Sequence, residues 1–251
     1  MDFLAKSNLA PCFWGPSDQG EFLEKVRDLL GPFADVGAFA GDNLIAFGRN
    51  LSFLSDEKFI EAFRKYIHPT NYVGFGVMWR LYMFSWCAKS SLIRSGDFVE
   101  CGVSTGSSSA IMCTYLNFSK VDKRLFLYDS WGLDDRVASL PYGFTSSTLA
   151  EVRSRFAEFP NVKLIPGYLP ESFADEAPEK VAFLHVDLNN AQAEIAVLDH
   201  LFDRVSPGGI ILFDDYGANG FLKSKEAEDE WMERRGYTIG ELPTGQGIVI
   251  K

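Results

Sequence analysis

From about residue 96 onwards, short apolar runs alternate with longer segments that have helical periodicity. Runs that are almost entirely apolar are typical of parallel strands buried on both faces of a sheet. Their alternation with helices is typical of a doubly wound α/β fold. We therefore predict a Rossmann-like, mostly parallel sheet of seven strands, closed by a C-terminal antiparallel hairpin. The predicted strands are 98–102, 125–129, 162–166, 181–187 and 209–213, with hairpin arms at 237–239 and 247–250, and the predicted helices are 107–116, 147–159, 191–205 and 221–235.

The first 95 residues have a different pattern, in which helical segments flank a glycine-rich stretch at 31–55 that has no clear period. We predict that stretch to be a loop. Residues 1–95 are predicted to form a helical extension, and residues 96–251 the catalytic domain that binds a cofactor. A lid over the ligand pocket and the subunit interface of a homo-oligomer are two hypotheses for the extension. The predicted helices are 19–30, 56–67 and 75–92.

A glycine-bearing turn, Glu100-Cys-Gly-Val-Ser-Thr-Gly106, follows the first predicted strand of the sheet. Ligands of open α/β sheets bind beyond the carboxyl ends of the strands, and Gly102 and Gly106 allow the backbone to turn close to a ligand. The order E-x-G-x-x-x-G differs from the G-x-G-x-x-G of dinucleotide sites. Glu100 would repel a pyrophosphate but suits the cationic end of S-adenosylmethionine (SAM). The turn therefore favours SAM over a dinucleotide.

Acidic and aromatic residues follow the second and third predicted strands. Asp129 ends the second strand and is suited to accept both ribose hydroxyls, although an aspartate at this place can also simply cap a turn. Trp131 and Tyr168 offer flat faces for adenine, and Gly167 permits close backbone approach. The predicted cofactor contacts are Glu100, Gly102, Ser104, Gly106, Ser107, Asp129, Ser130, Trp131, Gly167, Tyr168 and Asp187.

Three carboxylates follow the fourth and fifth predicted strands, with Asp187 after one and Asp214 and Asp215 after the other. If these strands are parallel neighbours, the three side chains converge at one edge of the sheet. Like charges packed together need a cation, and a hard divalent ion such as Mg²⁺ prefers oxygen ligands. We predict a Mg²⁺ site there, with turn capping as the alternative. The ion would hold a substrate hydroxyl and lower its pKa.

Composition narrows the range of partners. The chain has 24 Lys and Arg against 34 Asp and Glu, a net charge of -10, which argues against a nucleic-acid partner. No apolar run approaches the roughly 20 residues of a membrane span, and the N-terminus lacks the pattern of an export signal. The four cysteines contain no C-x-x-C pair, which predicts reduced thiols. We expect a cytoplasmic protein that acts on a small molecule and has no membrane partner.

Six segments carry a family resemblance, in order over residues 96–251: GDFVECGVSTGSSS, LFLYDSWG, NVKLIPGYLPESF, VAFLHVDLN, LFDRVSPGGIILFDDYG and LPTGQGIVI. Together they resemble the macrocin O-methyltransferase family. The resemblance implies a class I SAM-dependent methyltransferase fold, Mg²⁺ dependence, and methyl transfer to a hydroxyl of a sugar or secondary-metabolite intermediate. It also implies that Asp187, Asp214 and Asp215 bind the metal and that Glu100, Gly102, Ser107, Asp129 and Trp131 contact SAM.

The chain departs from the family's motifs at the position of the proposed general base. Many relatives have a second aspartate where this chain has Asn189, and an amide cannot accept a proton at neutral pH. Asn189 either orients the hydroxyl or ligates the ion through its carbonyl, or another group is the base. The candidate catalytic residues are therefore Asp187, Asn189 and His185. His185 lies on the same strand face as Asp187, but a histidine in a buried strand is more often a structural hydrogen-bonder.

A second departure is Ser104-Thr105, where many relatives have tryptophan and arginine. Metal activation alone, with solvent taking the proton, is a further option for the chemistry. Two other functions also stay open. A carboxylate or peptide-terminus acceptor is already ionised and needs no base. A chain that has lost its base could instead bind SAM or a nucleotide without catalysis.

Overall fold

The computed structural model describes residues 7–10, 12–15, 18–131 and 149–251 of the chain. The chain divides into two compact units, Met1–Met83 and Phe84–Lys251. Within the described ranges, none of the helices combines the length and the apolar character that a membrane crossing requires.

The first unit contains helices and a small sheet. Its elements are β1 (Asn8–Leu9), α1 (Gln19–Leu30), β2 (Ala38–Gly41), β3 (Leu44–Phe47), α2 (Glu57–Tyr66), α3 (Tyr72–Gly76) and α4 (Met78–Ser91), within which the division between the units falls. The sheet has the order β1-β2-β3, with β1 parallel and β3 antiparallel to β2. The predicted helix 19–30 is confirmed as α1, which begins where the Asp18 side chain accepts a hydrogen bond from the Glu21 backbone N–H.

The prediction of a loop over residues 31–55 is wrong, because β2 and β3 lie within it. Asp42 and Asn43 join the two strands with φ angles of 51° and 55°. Positive φ at both central residues is the geometry of tight two-residue hairpins, to which Asp and Asn are suited. All four residues of β2 are buried, so the strand lacks the alternation of apolar and polar residues that would have indicated it.

The second unit is a seven-stranded α/β sheet. Its elements are β4 (Asp97–Cys101), α5 (Ser107–Leu116), β5 (Leu125–Asp129), α6 (Leu149–Arg155), β6 (Val162–Pro166), β7 (Val181–Val186), α7 (Ala191–Leu201), β8 (Val205–Phe213), α8 (Leu222–Glu233), β9 (Gly240–Glu241) and β10 (Gly247–Ile250). The strand order is β6-β5-β4-β7-β8-β10-β9, with β10 antiparallel to both of its neighbours and the other pairs parallel. The predicted fold class is confirmed.

The order of the strands locates the ligand edge. The chain proceeds outwards from β4 through β5 to β6 and then returns to β7 on the other side of β4. This reversal is a topological switch point, where ligands of open α/β sheets bind beyond the carboxyl ends of the strands. All six residues of β7 are buried, as expected for a central strand that is covered on both faces.

Several element boundaries differ from those predicted. The first hairpin arm is β9 rather than 237–239, and β8 begins four residues before the predicted 209. The helix predicted at 147–159 corresponds to α6, and its first two residues lie outside the described part of the chain. At the ligand edge, β4 and β7 each end one residue before the predicted 102 and 187, whereas β5, β6 and β8 end where predicted.

Candidate active site

The glycine turn brings the ends of β4 and β7 together. Gly102 has φ 88°, and a Cβ at that position would lie 1.8 Å from the carbonyl oxygen of Asp187. No side chain fits at this position, so the glycine is required by the close approach of the two backbones. Gly106, with φ 73°, begins α5. The backbone of the predicted cofactor turn therefore lies directly against the backbone of Asp187, the first residue of the predicted metal site.

Asp129 fixes the shape of the turn. Its Oδ2 accepts hydrogen bonds from the backbone N–H groups of Val103 (2.8 Å) and Ser104 (2.7 Å), and its Oδ1 accepts one from Trp131 (2.9 Å). The Trp131 indole N–H donates to the carbonyl of Ser104 at 3.0 Å, and the residue is only 7% exposed. The carboxylate therefore caps the turn, and contact of Asp129 with a ribose remains a prediction.

Other predicted cofactor residues lie at the carboxyl ends of β5 and β6 or at the start of α5. Ser130 directly follows β5 and is partly buried. The Gly167 backbone N–H donates to the Asp129 carbonyl at 3.0 Å, and the Tyr168 side chain is exposed. Ser107 accepts a hydrogen bond at 2.7 Å from the guanidinium of Arg155.

Arg155 was not predicted from the sequence, although its guanidinium hydrogen-bonds to the glycine turn and to the start of α5. Its Nη1 donates both to Ser107 and, at 2.6 Å, to the carbonyl of Thr105. Arg155 lies 48 residues from Ser107 in the chain, and nothing in its local pattern indicates the contact.

A buried histidine links the cofactor turn to the carboxylate cluster. His185 Nδ1 lies 3.3 Å from Glu100 Oε1, and its Nε2 lies 3.5 Å from Asp214 Oδ1. The second oxygen of Glu100 accepts a hydrogen bond from the Ser109 hydroxyl. Burial alone would lower the pKa of His185, but Asp214 and Glu100 outweigh it and raise the pKa to about 10. A cationic imidazole between two carboxylates fits a structural role better than that of a proton acceptor.

Gln246 is a second residue that the sequence analysis did not predict. It is fully buried, and its Nε2 donates to Asp214 Oδ1 at 3.0 Å. Its own carbonyl accepts from the Thr244 hydroxyl at 2.9 Å, which fixes the amide orientation. Both residues belong to the LPTGQGIVI segment, which carries part of the family resemblance, but the sequence did not indicate that Gln246 contacts Asp214.

The three predicted metal ligands come together at the ends of β7 and β8. Asp187, Asp214 and Asp215 each offer an oxygen, and these atoms all lie within 4.8 Å of one another. The backbone positions them, because the Asp214 N–H donates to the Val186 carbonyl at 3.0 Å and extends the ladder by one residue beyond the strands. Three partly buried carboxylate oxygens at this spacing form a donor set that suits a hard divalent cation.

Asn189 lies beside this cluster in a positive-φ conformation, with φ 54°. Its Nδ2 lies 3.4 Å from Asp187 Oδ1, and its own Oδ1 is buried without a hydrogen-bond partner. This buried acceptor lines the same pocket as the three carboxylates and lacks a donor or a cation, which fits cation binding in that pocket.

Two further carboxylates line the same pocket and were not predicted. Glu194 on α7 and Glu228 on α8 are 5% and 3% exposed, respectively. Burial raises the pKa of Glu228 to about 9, and the nearby charges of Glu194 and Asp229 add to the increase. A signal was present in the sequence, since Glu194 precedes the buried Val197 by three residues and so shares its helix face.

A seven-stranded sheet of this order, with a glycine turn capped by the acid that ends the neighbouring strand, defines a Rossmann-like SAM-dependent methyltransferase. The family model described as macrocin-O-methyltransferase matches residues 80–239. The chain belongs to this family, and it is an enzyme that transfers a methyl group to an oxygen.

Two curated relatives support the assignment. The chain is 28% identical to the 8-demethyl-8-(2,3-dimethoxy-alpha-L-rhamnosyl)-tetracenomycin-C 4'-O-methyltransferase of Streptomyces olivaceus over 190 residues, which cover 67% of this chain and 71% of the relative. It is 29% identical to the mycinamicin III 3''-O-methyltransferase of Micromonospora griseorubida over 96 residues, or 37% of each chain.

Solved structures share the fold. The O-methyltransferase NovP superposes with a TM-score of 0.60 at 22% identity, covering 71% of this chain and 81% of NovP. The calicheamicin methyltransferase CalS11 superposes with a TM-score of 0.57 at 13% identity, covering 100% of this chain and 96% of CalS11.

Proposed function

We propose that this protein is a Mg²⁺-dependent methyltransferase that moves the methyl group of SAM to a hydroxyl of a small molecule, either a sugar or another secondary-metabolite intermediate. The observation that carries the proposal is the close approach of the Gly102 and Asp187 backbones, which supports a cofactor at the glycine turn and an ion at the neighbouring carboxylates. Both curated relatives are named as O-methyltransferases, one acting on a rhamnosyl-tetracenomycin and the other on mycinamicin III, which supports a small-molecule hydroxyl as the acceptor.

The carboxylate cluster is the proposed metal site. Asp187, Asp214 and Asp215 would hold the ion, and His185 and Gln246 orient Asp214 for it. When bound, a divalent cation supplies a Lewis acid that lowers the pKa of a coordinated hydroxyl. The unpartnered carbonyl of Asn189 supports cation binding in the same pocket.

The reaction also needs a destination for the hydroxyl proton. As the new C–O bond forms and the S–CH₃ bond breaks, the hydroxyl loses H⁺ and the sulfonium becomes a neutral thioether. Asn189 cannot accept the proton, and both ring nitrogens of His185 face carboxylates, Glu100 on one side and Asp214 on the other. We infer that the proton leaves to solvent or to Asp187, a predicted catalytic residue whose backbone lies against Gly102 of the predicted cofactor turn.

The test is SAM turnover after metal removal. EDTA is expected to abolish S-adenosylhomocysteine formation on a hydroxylated acceptor, and excess Mg²⁺ to restore it. Asp214→Asn combined with Asp215→Asn should not respond to Mg²⁺, whereas Asp203→Asn, at an exposed site, should behave as wild type. Full turnover in EDTA would contradict the metal-dependent step.

A second candidate function is methylation of a carboxylate or a peptide terminus. Asn189 favours it, because an ionised acceptor requires no general base. Metal-independent turnover that yields a methyl ester would support this candidate.

The proposal also includes a role for the N-terminal region. We infer that residues 1–95 serve as a lid over the acceptor or as the subunit interface of a homo-oligomer, in a cytoplasmic enzyme. Light scattering of the full-length chain tests the oligomer, for which a monomeric mass would be the contrary result.

A further inference from the structure

The pocket beside the carboxylate cluster contains more acidic groups than one cation needs. Glu194 on α7 and Glu228 on α8 line it together with Asp187, Asp214 and Asp215. Both glutamate side chains are more than nine-tenths buried.

Three oxygen atoms from residues lining this pocket have no hydrogen-bond partner. They are Oε2 of Glu194, Oε2 of Glu228 and Oδ1 of Asn189, and all three are buried. The other oxygen of Glu194 accepts from the Asn190 backbone N–H at 3.4 Å, so this carboxylate is held in place at one end only. The Asn189 carbonyl is an acceptor, and so are the two glutamates once both are ionised, so the ionised pocket must be supplied with donors or positive charge.

The described residues that line the pocket include no lysine, arginine or histidine that could supply this charge. The nearest candidate along α8, Lys225, has its Nζ 3.1 Å from Asp229 and 3.7 Å from the centre of the Tyr216 ring. Burying carboxylates without a partner is costly, and hard divalent cations take oxygen ligands of these types, including amide carbonyls.

We propose that Glu194, Glu228 and the side-chain carbonyl of Asn189 hold a second hard divalent cation, next to the one held by Asp187, Asp214 and Asp215. The ion held by the three aspartates is part of the proposed function, and this inference rests on the proposed function only for that ion. Oxygen sites with two neighbouring divalent cations are a common arrangement in enzymes.

A second ion would account for the orientation of the Asn189 side chain. With its carbonyl bound to the ion, Asn189 would present its NH₂ group towards Asp187, which is the orientation observed, with Nδ2 at 3.4 Å from Asp187 Oδ1. Asn189 is then a positioning residue that orients a ligand of the first ion.

The experiment is a Mn²⁺ titration of the full-length protein, with free Mn²⁺ followed by electron paramagnetic resonance. Wild type is expected to bind about two Mn²⁺ per chain. Glu194→Gln combined with Glu228→Gln should bind about one, and so should Asp214→Asn combined with Asp215→Asn. The matched control is Glu226→Gln combined with Glu233→Gln, two exposed glutamates of α8, which should keep both ions.

If the wild-type protein binds only one Mn²⁺ per chain, the proposed second site is wrong. This outcome can be read even if a glutamine variant fails to fold. Two ions retained by the folded Glu194/Glu228 variant overturn the assignment to these residues. The failures of the two proposals can be told apart. One ion with EDTA-sensitive turnover overturns only the second site, whereas two ions with EDTA-resistant turnover overturn only the metal-dependent step.

Discussion

Oδ2 of Asp129 accepts a hydrogen bond of 2.7 Å from the backbone N–H of Ser104, and so ties the end of β5 to the glycine turn after β4. The same oxygen accepts from Val103 at 2.8 Å. The acid that the sequence analysis assigned to a ribose therefore also determines the shape of the turn on which the cofactor is proposed to bind.

Replacing this acid is expected to weaken cofactor binding. Asp129→Asn removes the charge and turns one acceptor oxygen into a donor, so part of the turn's hydrogen bonding is lost. A hydrogen bond to a charged group contributes about 1.5–3 kcal/mol, which predicts a roughly 10- to 150-fold rise in the Kd for S-adenosylhomocysteine. Calorimetric titration measures this, with exposed Asp122→Asn as the control. An unchanged Kd would show that the turn binds no cofactor.

Removing the buried cation between Glu100 and Asp214 is expected to destabilise the metal-free protein. His185→Gln leaves two carboxylates without their positive partner, and breaking a buried ion pair in this way costs about 3–5 kcal/mol. Urea unfolding of the chelated protein measures the loss, and exposed His68→Gln should stay within about 0.5 kcal/mol of wild type. If His185→Gln and His68→Gln had the same free energy of unfolding, the ion pairs of His185 with Glu100 and Asp214 would not stabilise the protein.

Loss of the Gln246 amide is expected to weaken cation binding. Gln246→Ala removes the donor that orients Asp214, and residues that hold metal ligands typically contribute 10- to 100-fold in affinity. We expect a rise of about that size in the Mn²⁺ dissociation constant. Exposed Gln192→Ala is the matched control. Equal affinity in both variants would remove Gln246 from the site.

The four cysteines are expected to be unreactive in the native protein. All are free and buried, and burial raises the pKa of Cys12 to about 11, with a smaller increase from Asp42, and that of Cys87 to about 12. At pH 8 almost no thiolate is present, and the sulfur atoms are also shielded. A thiol-specific disulfide reagent should label none of them before unfolding and all four after it. Rapid native labelling would contradict their burial.

The strand ends were predictable from sequence because each is determined locally. Central strands that are mostly apolar and that end at Asp129 or directly before Asp187 and Asp214 specify both the sheet and its ligand edge. Convergence of the three aspartates then follows from parallel pairing of β7 and β8.

The residues that sequence reasoning missed act across long distances in the chain. Gln246 lies 32 residues from Asp214, and Arg155 lies 50 residues from Thr105. Their local patterns resemble those of an ordinary hairpin and an ordinary helix, so only the tertiary fold reveals the contacts. Glu194 and Glu228 differ in that a charged residue on the buried face of a helix is itself a signal.

The most direct test of the account is the chemical form of the transferred methyl group. Wild-type protein is incubated with SAM carrying a ¹³C-labelled methyl group and hydroxylated natural-product glycosides, in Mg²⁺ or in EDTA, and the product is analysed by NMR before and after alkali treatment. The account predicts an alkali-stable methyl ether that forms in Mg²⁺ and not in EDTA. An alkali-labile methyl ester that forms equally in both would contradict it.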